Sequence, residues 1–338
     1  MHRLPPRTFL IGAWLLLVAA VVLGLLSGPV SIAPGKLLEL FSRQSDMDVR
    51  ILQDLRLPRV LLAMLAGACL ASCGAVMQGL FRNPLADPSL IGVSSGASLG
   101  ASAVIFFGGV GFLSGVFELT AIAAGAFIGG LVATALVYRL ASTITGTSVS
   151  TMLLAGIAIT ALSGAATSLF GFFADNEMLR RISLWQMGNL DSANWSRVGI
   201  IAVAVLPLMV LLPREGRALN AILLGESEAR HLGIAVESLK GRLILLTALG
   251  VGVAVAVSGV VAFVGLIVPH LVRLMIGPDH RYLIPGSAIL GAVLLLLADT
   301  GARSLMAPAE LPTGVVTALL GAPFFVALLL QQRRKVLE

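Results

Sequence analysis

Residues 243–268 read LILLTALGVGVAVAVSGVVAFVGLIV and contain no charged side chain. A run of about 18 or more apolar residues is typical of a membrane-spanning helix. This run exceeds the length of one span, and its apolar character continues past Pro269 to Ile276. The pair Ser258-Gly259 offers a break near its middle, because adjacent Gly and Ser residues are a common cause of helix interruption. One span or two in this stretch decides the topology of the whole chain.

Eight further uncharged runs lie at about residues 9–33, 60–81, 89–113, 119–138, 148–174, 198–213, 282–298 and 311–332. Nine spans would place the termini on opposite sides of the membrane, yet both ends are basic, with Arg3 and Arg7 at the start and residues 333–335 at the end. Positive charge marks the cytoplasmic side. We therefore divide the 243–268 run into two spans and predict ten transmembrane helices with both termini cytoplasmic.

The composition supports a membrane bundle. The chain is 57% hydrophobic and 12% charged, with a mean hydropathy of +0.98, whereas a soluble domain carries about 25% charged residues. Its 37 glycines, together with Ala and Ser, let helices approach closely in lipid. The net charge of +6 comes without a basic patch beside paired aromatics, which argues against nucleic acid. We predict one all-α, polytopic membrane domain over residues 1–338.

The longest predicted cytoplasmic loop, at about residues 214–240, contains two short amphipathic stretches punctuated by Gly225 and Gly233. Such a pair could lie on the lipid surface. Its polar residues, however, are of both signs, Glu226 and Glu228 beside Arg230, rather than uniformly basic. A docking surface for a cytoplasmic protein is the favoured interpretation.

Few polar residues lie inside the spans. Asp299 is a functional candidate, because an intramembrane carboxylate needs a partner; Arg303, four residues on, offers an intrahelical pair as the structural alternative. His270 is interpreted as a packing histidine. Cys69 and Cys73, one helical turn apart, are expected to be packing residues, since two thiols alone leave a zinc site incomplete. No metal site and no catalytic residue is predicted.

Gly92-Val-Ser-Ser-Gly96 matches the G-x-S-x-G pattern of serine hydrolases. That pattern needs a strand, a turn and a helix, whereas here it opens a predicted membrane helix. Small-residue packing explains it better. The chain also lacks the G-x-x-x-x-G-K-[ST] loop that binds nucleotide phosphates.

Six segments together resemble the FecCD family of permeases, which serve type II ABC importers of iron-siderophores, haem and cobalamin. They are residues 55–59 (LRLPR), 74–88 (GAVMQGLFRNPLADP), 153–156 (LLAG), 263–270 (FVGLIVPH), 297–303 (LADTGAR) and 310–324 (ELPTGVVTALLGAPF).

The resemblance implies a cobalamin-importer-like fold of ten helices in a homodimer of the bacterial inner membrane. It also implies two cytoplasmic ATPase subunits and a periplasmic binding protein as partners. ATP and magnesium would be bound by the ATPase, so no cofactor and no enzymatic activity are expected of this chain.

The resemblance also implies roles for individual residues, each at a position where the motif matches. The expected ATPase-coupling residues are Gly225, Glu226, Glu228, Ala229, Leu232 and Gly233. The expected binding-protein docking residues are Arg56, Arg59 and Arg303. The expected cytoplasmic gate consists of Asn83, Leu85, Ser150 and Leu154.

Residues 172–190 (FFADNEMLRRISLWQMGNL) are similar to the haem-importing branch of the family. Arg180 and Arg181 would suit haem propionates at the substrate entrance, or would only balance Asp175 and Glu177. Haem is the favoured substrate, with a ferric siderophore or cobalamin as alternatives. An ion-coupled secondary transporter is the rival from another class, and it would need several intramembrane carboxylates or broken-helix ion sites. An intramembrane serine protease is a third possibility.

Overall fold

A computed structural model describes residues 4–40, 46–108, 116–144, 146–306 and 309–337. Seven of the helices in these ranges are long and apolar enough to cross a membrane. They are α1 (Pro6–Leu26), α3 (Leu57–Leu80), α5 (Val116–Ala141), α6 (Val149–Phe173), α8 (Trp195–Arg214), α11 (Val236–Ser258) and α13 (His280–Ser304).

Three shorter apolar helices complete the bundle: α4 (Val93–Gly108), α12 (Val264–Ile276) and α14 (Thr313–Leu337). The described residues thus contain ten apolar helices, seven of them long enough to cross a membrane, and ten spans stay a prediction. The predicted break is confirmed, because α11 ends at Ser258 and α12 begins at Val264. Gly259 and Phe263 bound this break, both with positive φ, of 67°.

The remaining elements are short. They are α2 (Met47–Arg50), a π-helical turn (Ile51–Arg56) that runs directly into α3, 3-10 turns at Pro34–Leu37 and Pro88–Ile91, α7 (Asn176–Gln186), α9 (Gly216–Leu223), α10 (Glu226–His231) and an antiparallel hairpin of β1 (Ser142–Thr143) and β2 (Gly146–Thr147). The two helices α9 and α10 occupy the predicted cytoplasmic loop and are separated by Gly225, as expected.

Three helices form the centre of the bundle. In the most apolar 18-residue stretch of each helix, the buried share is 78% for α3, 67% for α11 and 72% for α13. It is only 17% for α6 and 28% for α8. The last two helices therefore present most of their apolar surface outward, to lipid or to another chain. Small residues make the centre possible: Gly67 of α3 lies against Gly291 of α13 so closely that a Cβ on Gly67 would be 2.2 Å from the Gly291 carbonyl oxygen.

Replacement of Gly67 by alanine is expected to lower the stability of the bundle by about 1–3 kcal/mol, because the added methyl must push α3 and α13 apart. Thermal unfolding in detergent measures the effect. Gly12→Ala is the matched control, since a Cβ at Gly12 of α1 meets nothing within 4 Å. Equal unfolding temperatures for the two variants would contradict the close packing of α3 on α13.

Candidate functional site

Arg56 lies at the end of the bundle that the predicted topology places outside, and its guanidinium closes the end of α1. Its Nη1 donates to the carbonyl oxygens of Leu25 (2.6 Å) and Leu26 (2.8 Å), and its Nη2 donates to the Val30 carbonyl. Leu25 and Leu26 end α1, where a cation satisfies carbonyls that the helix leaves unpaired, and Val30 lies just beyond it. The side chain is only 4% exposed.

Arg59 forms the central ion pair of this half of the bundle. Its Nε lies 3.0 Å from both oxygens of Asp299, and its Nη2 lies 2.9 Å from Oδ1. Its Nη1 donates to Glu310 at 2.8 Å, and the Thr313 hydroxyl lies 3.2 Å from Asp299 Oδ1. Asp299 is fully buried. The pair therefore joins α3 to α13, and its hydrogen bonds reach on to the segment that leads into α14.

Arg303 contributes less to this pair than the four-residue spacing suggests. Its Nε lies 3.6 Å from Asp299 Oδ2, while its Nη2 donates to the Gly24 carbonyl of α1. The principal partner of Asp299 is Arg59, a contact that sequence spacing does not reveal. All three predicted docking arginines are thus buried and internally bonded in this conformation; their docking role stays a prediction.

The predicted entrance residues lie on α7, which Asp175 caps by accepting from the Met178 amide at 2.8 Å. Arg181 pairs with Glu118 of α5 rather than with Asp175 or Glu177. Arg180 is exposed. Of the two, Arg180 is the one whose charge is directed toward solvent.

The two predicted gate segments lie next to each other. Asn83 shapes the turn after α3, since its side-chain oxygen accepts from the Leu85 amide at 2.9 Å. Ser150 and Leu154 are exposed on the first turns of α6. The start of α6 packs against the turn at Pro88–Ile91, where a Cβ on Gly156 would be 1.9 Å from the Leu90 carbonyl oxygen.

The predicted coupling residues divide into two groups. Glu228 and Leu232 are exposed, Leu232 at 65%. Ala229 is fully buried, and the carboxylate of Glu226 turns inward to Lys240 of α11 at 2.8 Å. Gly225 (φ 125°) and Gly233 (φ 82°) permit the turns that begin and end α10.

The neighbouring helix α9 is anchored to the start of α13. Asn220 donates to the Asp279 carboxylate at 2.7 Å and accepts from the His280 amide at 2.9 Å. The hydrogen bond from Arg281 lowers the pKa of Asp279 to about 2. The anchor therefore stays charged throughout the physiological pH range.

A hydroxyl-lined cleft of about 480 Å³ lies between α4, α6 and α7. Sequence reasoning missed it. Its polar lining is Ser95, Ser98, Thr160, Thr167, Ser168, Ser183 and Gln186. The signal was present in α6, where Thr160, Gly164, Thr167, Ser168 and Gly171 recur at helical spacing and so share one face.

The polar groups of this cleft are only partly satisfied. The hydroxyls of Ser95 and Thr160 lie 3.2 Å apart, and the buried hydroxyl of Thr167 has no hydrogen-bond partner among the described residues. Polar side chains at membrane depth face a bundle interior or a water-filled path. The cleft can therefore donate hydrogen bonds to a polar group that passes between these helices.

No three His, Cys, Asp or Glu side chains approach one another closely enough to hold a metal ion in the part of the chain that the structure describes. Cys69 and Cys73 are free thiols buried in α3. Ser94, the serine of the G-x-S-x-G pattern, lies in the first turn of α4 rather than on a strand-to-helix turn.

Replacement of Asp299 by asparagine is expected to lower the stability by about 3–5 kcal/mol, because it removes the buried carboxylate beside Arg59 and leaves the partly exposed Glu310 to balance that charge. Chemical unfolding in detergent measures the difference. Asp54→Asn removes an exposed carboxylate from the turn that leads into α3 and is the control. A variant as stable as this control would show that Arg59 does not depend on Asp299.

The sequence pattern of the FecCD transport family matches residues 15–331 of the chain. The chain is 45% identical over 334 residues to the hemin transport system permease protein of Yersinia pestis, which covers 98% of each chain. It is 40% identical over 316 residues to the vitamin B12 import system permease protein of Vibrio vulnificus, covering 94% of this chain and 93% of the relative.

Among solved structures, the chain is similar to an ABC transporter of the metal-chelate type in an inward-facing conformation. The TM-score is 0.85 at 35% identity, and the match covers 97% of this chain and 100% of the other. Sequence and structure agree over nearly the whole length, and the chain belongs to the FecCD transport family.

Proposed function

We propose that this chain is the permease subunit of an ATP-binding-cassette importer that carries haem from the periplasm to the cytoplasm. The observation that carries the substrate is the 45% identity, over 98% of both chains, to a hemin permease. The chain is a transport subunit and not an enzyme; ATP hydrolysis belongs to a separate ATPase. Vitamin B12 is the alternative, since relatives named for that substrate are 40% identical; a ferric siderophore stays open.

The proposed assembly contains two copies of the chain, two cytoplasmic ATPase subunits and a periplasmic binding protein. All ten apolar helices would cross the bacterial inner membrane, with both termini cytoplasmic. Only 17% of the most apolar stretch of α6 is buried within the chain, and this exposed apolar surface supports contact with a second copy. The exposed Glu228 and Leu232 support an ATPase contact at α10.

The hydroxyl-lined cleft supports a path for an anionic chelate. Its lining contains no acidic residue, so hydroxyl and amide groups can donate to carboxylates without repulsion. Arg180 lies on α7, the helix that supplies Ser183 and Gln186 to the cleft. Haem bears two propionates, which could accept hydrogen bonds from these hydroxyls and pair with one arginine.

The ion-coupled alternative has less support. The intramembrane carboxylate it would use, Asp299, is bonded through both of its oxygens to Arg59. A carboxylate that exchanges protons or binds ions during transport needs free oxygens. Asp299 instead stabilises the bundle.

Reconstitution of the permease in proteoliposomes with its ATPase and binding protein tests the proposed function. Haem is expected to accelerate ATP hydrolysis and to accumulate inside only when ATP is present. Vitamin B12 and a ferric siderophore, added separately, are the comparison substrates. Uptake of haem without ATP would contradict an ATP-driven importer, and uptake of a comparison substrate in place of haem would reassign the cargo.

Replacement of Thr160 and Thr167 by valine tests the path. Haem uptake is expected to fall about tenfold, the equivalent of ~1.4 kcal/mol, because each lost hydroxyl removes a hydrogen bond worth about 0.5–1.5 kcal/mol. Uptake of haem with esterified propionates should change little. Ser163→Ala is the control, since Ser163 is a buried hydroxyl of α6 outside the cleft. An equal loss for haem and its ester would exclude propionate recognition there.

A further inference from the structure

Lys240, in the second turn of α11, is a buried cation with three oxygen partners. It is 2% exposed. Its Nζ lies 2.8 Å from the Glu226 carboxylate, 3.1 Å from Glu237 Oε1 and 2.9 Å from the Thr147 carbonyl oxygen. An ammonium group has three protons to donate, so all of its hydrogen-bonding capacity is used here.

The three partners come from three separate segments. Glu226 opens α10, the proposed ATPase-docking helix; Glu237 belongs to the first turn of α11; Thr147 is the last residue of the hairpin β1–β2. Only Glu237 is local to Lys240. The other two bonds join α11 to α10 on one side and to the hairpin on the other.

The hairpin β1–β2 is held through the backbone amide and the backbone carbonyl of Thr147. While the carbonyl of Thr147 accepts from Lys240, its amide donates to Glu237 Oε2 at 2.8 Å. Gly146 (φ 126°) brings the hairpin flat against the same carboxylate, since a Cβ there would lie 2.8 Å from Glu237 Oε1. The hairpin therefore moves with the start of α11.

The hairpin leads directly into the predicted gate. Ser148 follows Thr147 and caps α6, its hydroxyl oxygen accepting from the Thr151 amide at 3.3 Å. Ser150 and Leu154 lie on the next two turns. A displacement of Thr147 thus reaches the gate residues through one capped helix end.

Helix α10 depends on outside contacts for its position. It has six residues, too few for an isolated helix to be stable in water. The buried Ala229 and the bond from Glu226 to Lys240 attach it to the bundle. Arg230 adds weaker contacts, 3.6 Å from Glu226 and 3.7 Å from Glu237, with 55% of its side chain exposed.

We propose that Lys240 is the positioning residue that joins the ATPase-docking helix α10 to the hairpin before α6, so that movement of α10 displaces the cytoplasmic gate. The proposal rests on the proposed function as an ATP-driven permease. Lys240 itself touches neither substrate nor nucleotide. Its buried charge holds the two moving segments at a fixed distance.

The first test measures that distance in the permease alone. Spin labels replace Ile144, at the exposed tip of the hairpin, and Leu232, at the exposed end of α10. The buried native thiols are checked for background in the unsubstituted protein. One narrow distance distribution is expected for the parent and for Lys240→Arg, and a broad one for Lys240→Met. A narrow distribution in Lys240→Met would overturn the proposal.

The second test measures coupling in the reconstituted importer. Lys240→Met and Glu226→Gln are expected to lower haem uptake per ATP hydrolysed by about tenfold, within the range of coupling between sites, while Lys240→Arg recovers most of it. Arg242→Met is the control: this exposed cation of α11 pairs with Glu215, which precedes α9.

An unchanged ratio of uptake to hydrolysis in Lys240→Met would also overturn the proposal. A purely structural role would lower the unfolding temperature and the uptake without altering the ratio. If the parent chain shows no ATP-driven uptake, the proposed function is wrong, and the label distances still decide whether Lys240 joins the two segments.

Discussion

The buried ion pair between Arg59 and Asp299 is the interaction on which the predicted outer half of the bundle depends. Two charges at membrane depth are tolerated only when each satisfies the other. Their bidentate geometry fixes α3 against α13, the two most enclosed helices. The close contact of Gly67 with Gly291 fixes the same two helices about two turns further along α3. The remaining helices pack around α3 and α13, which are held together by these two contacts.

The internal bonds of these arginines bear on how a partner could dock at the predicted outer surface. An arginine-rich outer face suggests a landing site for an acidic partner, and such a site would act mainly on association rate and orientation. Arg56, Arg59 and Arg303 instead bond to α1, Asp299 and Glu310 in the described conformation. A partner carboxylate that reached Arg59 would compete with Asp299 and Glu310. Docking there would therefore loosen contacts inside the permease as well as add contacts outside it.

Much of the architecture follows from sequence alone, because hydropathy and charge bias act locally. The break at Ser258-Gly259 was predictable from the conflict between nine apolar runs and two basic termini, and the structure confirms it. The Arg59–Asp299 pair was not, since the two residues lie 240 positions apart and no periodicity links them. The inward turn of Glu226 depends on the side-chain direction of a six-residue helix, which its composition leaves undetermined. The cleft along α6 was visible as a spacing of hydroxyls but was masked by the expectation that small residues pack.

The break between α11 and α12 also bears on biosynthesis. Helix α12 has 13 residues, a rise of about 20 Å against a hydrocarbon core of about 30 Å. In the proposed ten-span topology, irregular backbone makes up the difference, and it is tolerated only where protein shields it from lipid. Here the segment that follows α7 and the start of α14 supply the shield: the Asn189 amide donates to the Ser258 carbonyl, and Gly314 approaches Val260 closely. Because α14 is synthesised after α12, the break before α12 is not fully shielded until α14 has been made. The insertion machinery must therefore retain α11 and α12 until α14 has followed them.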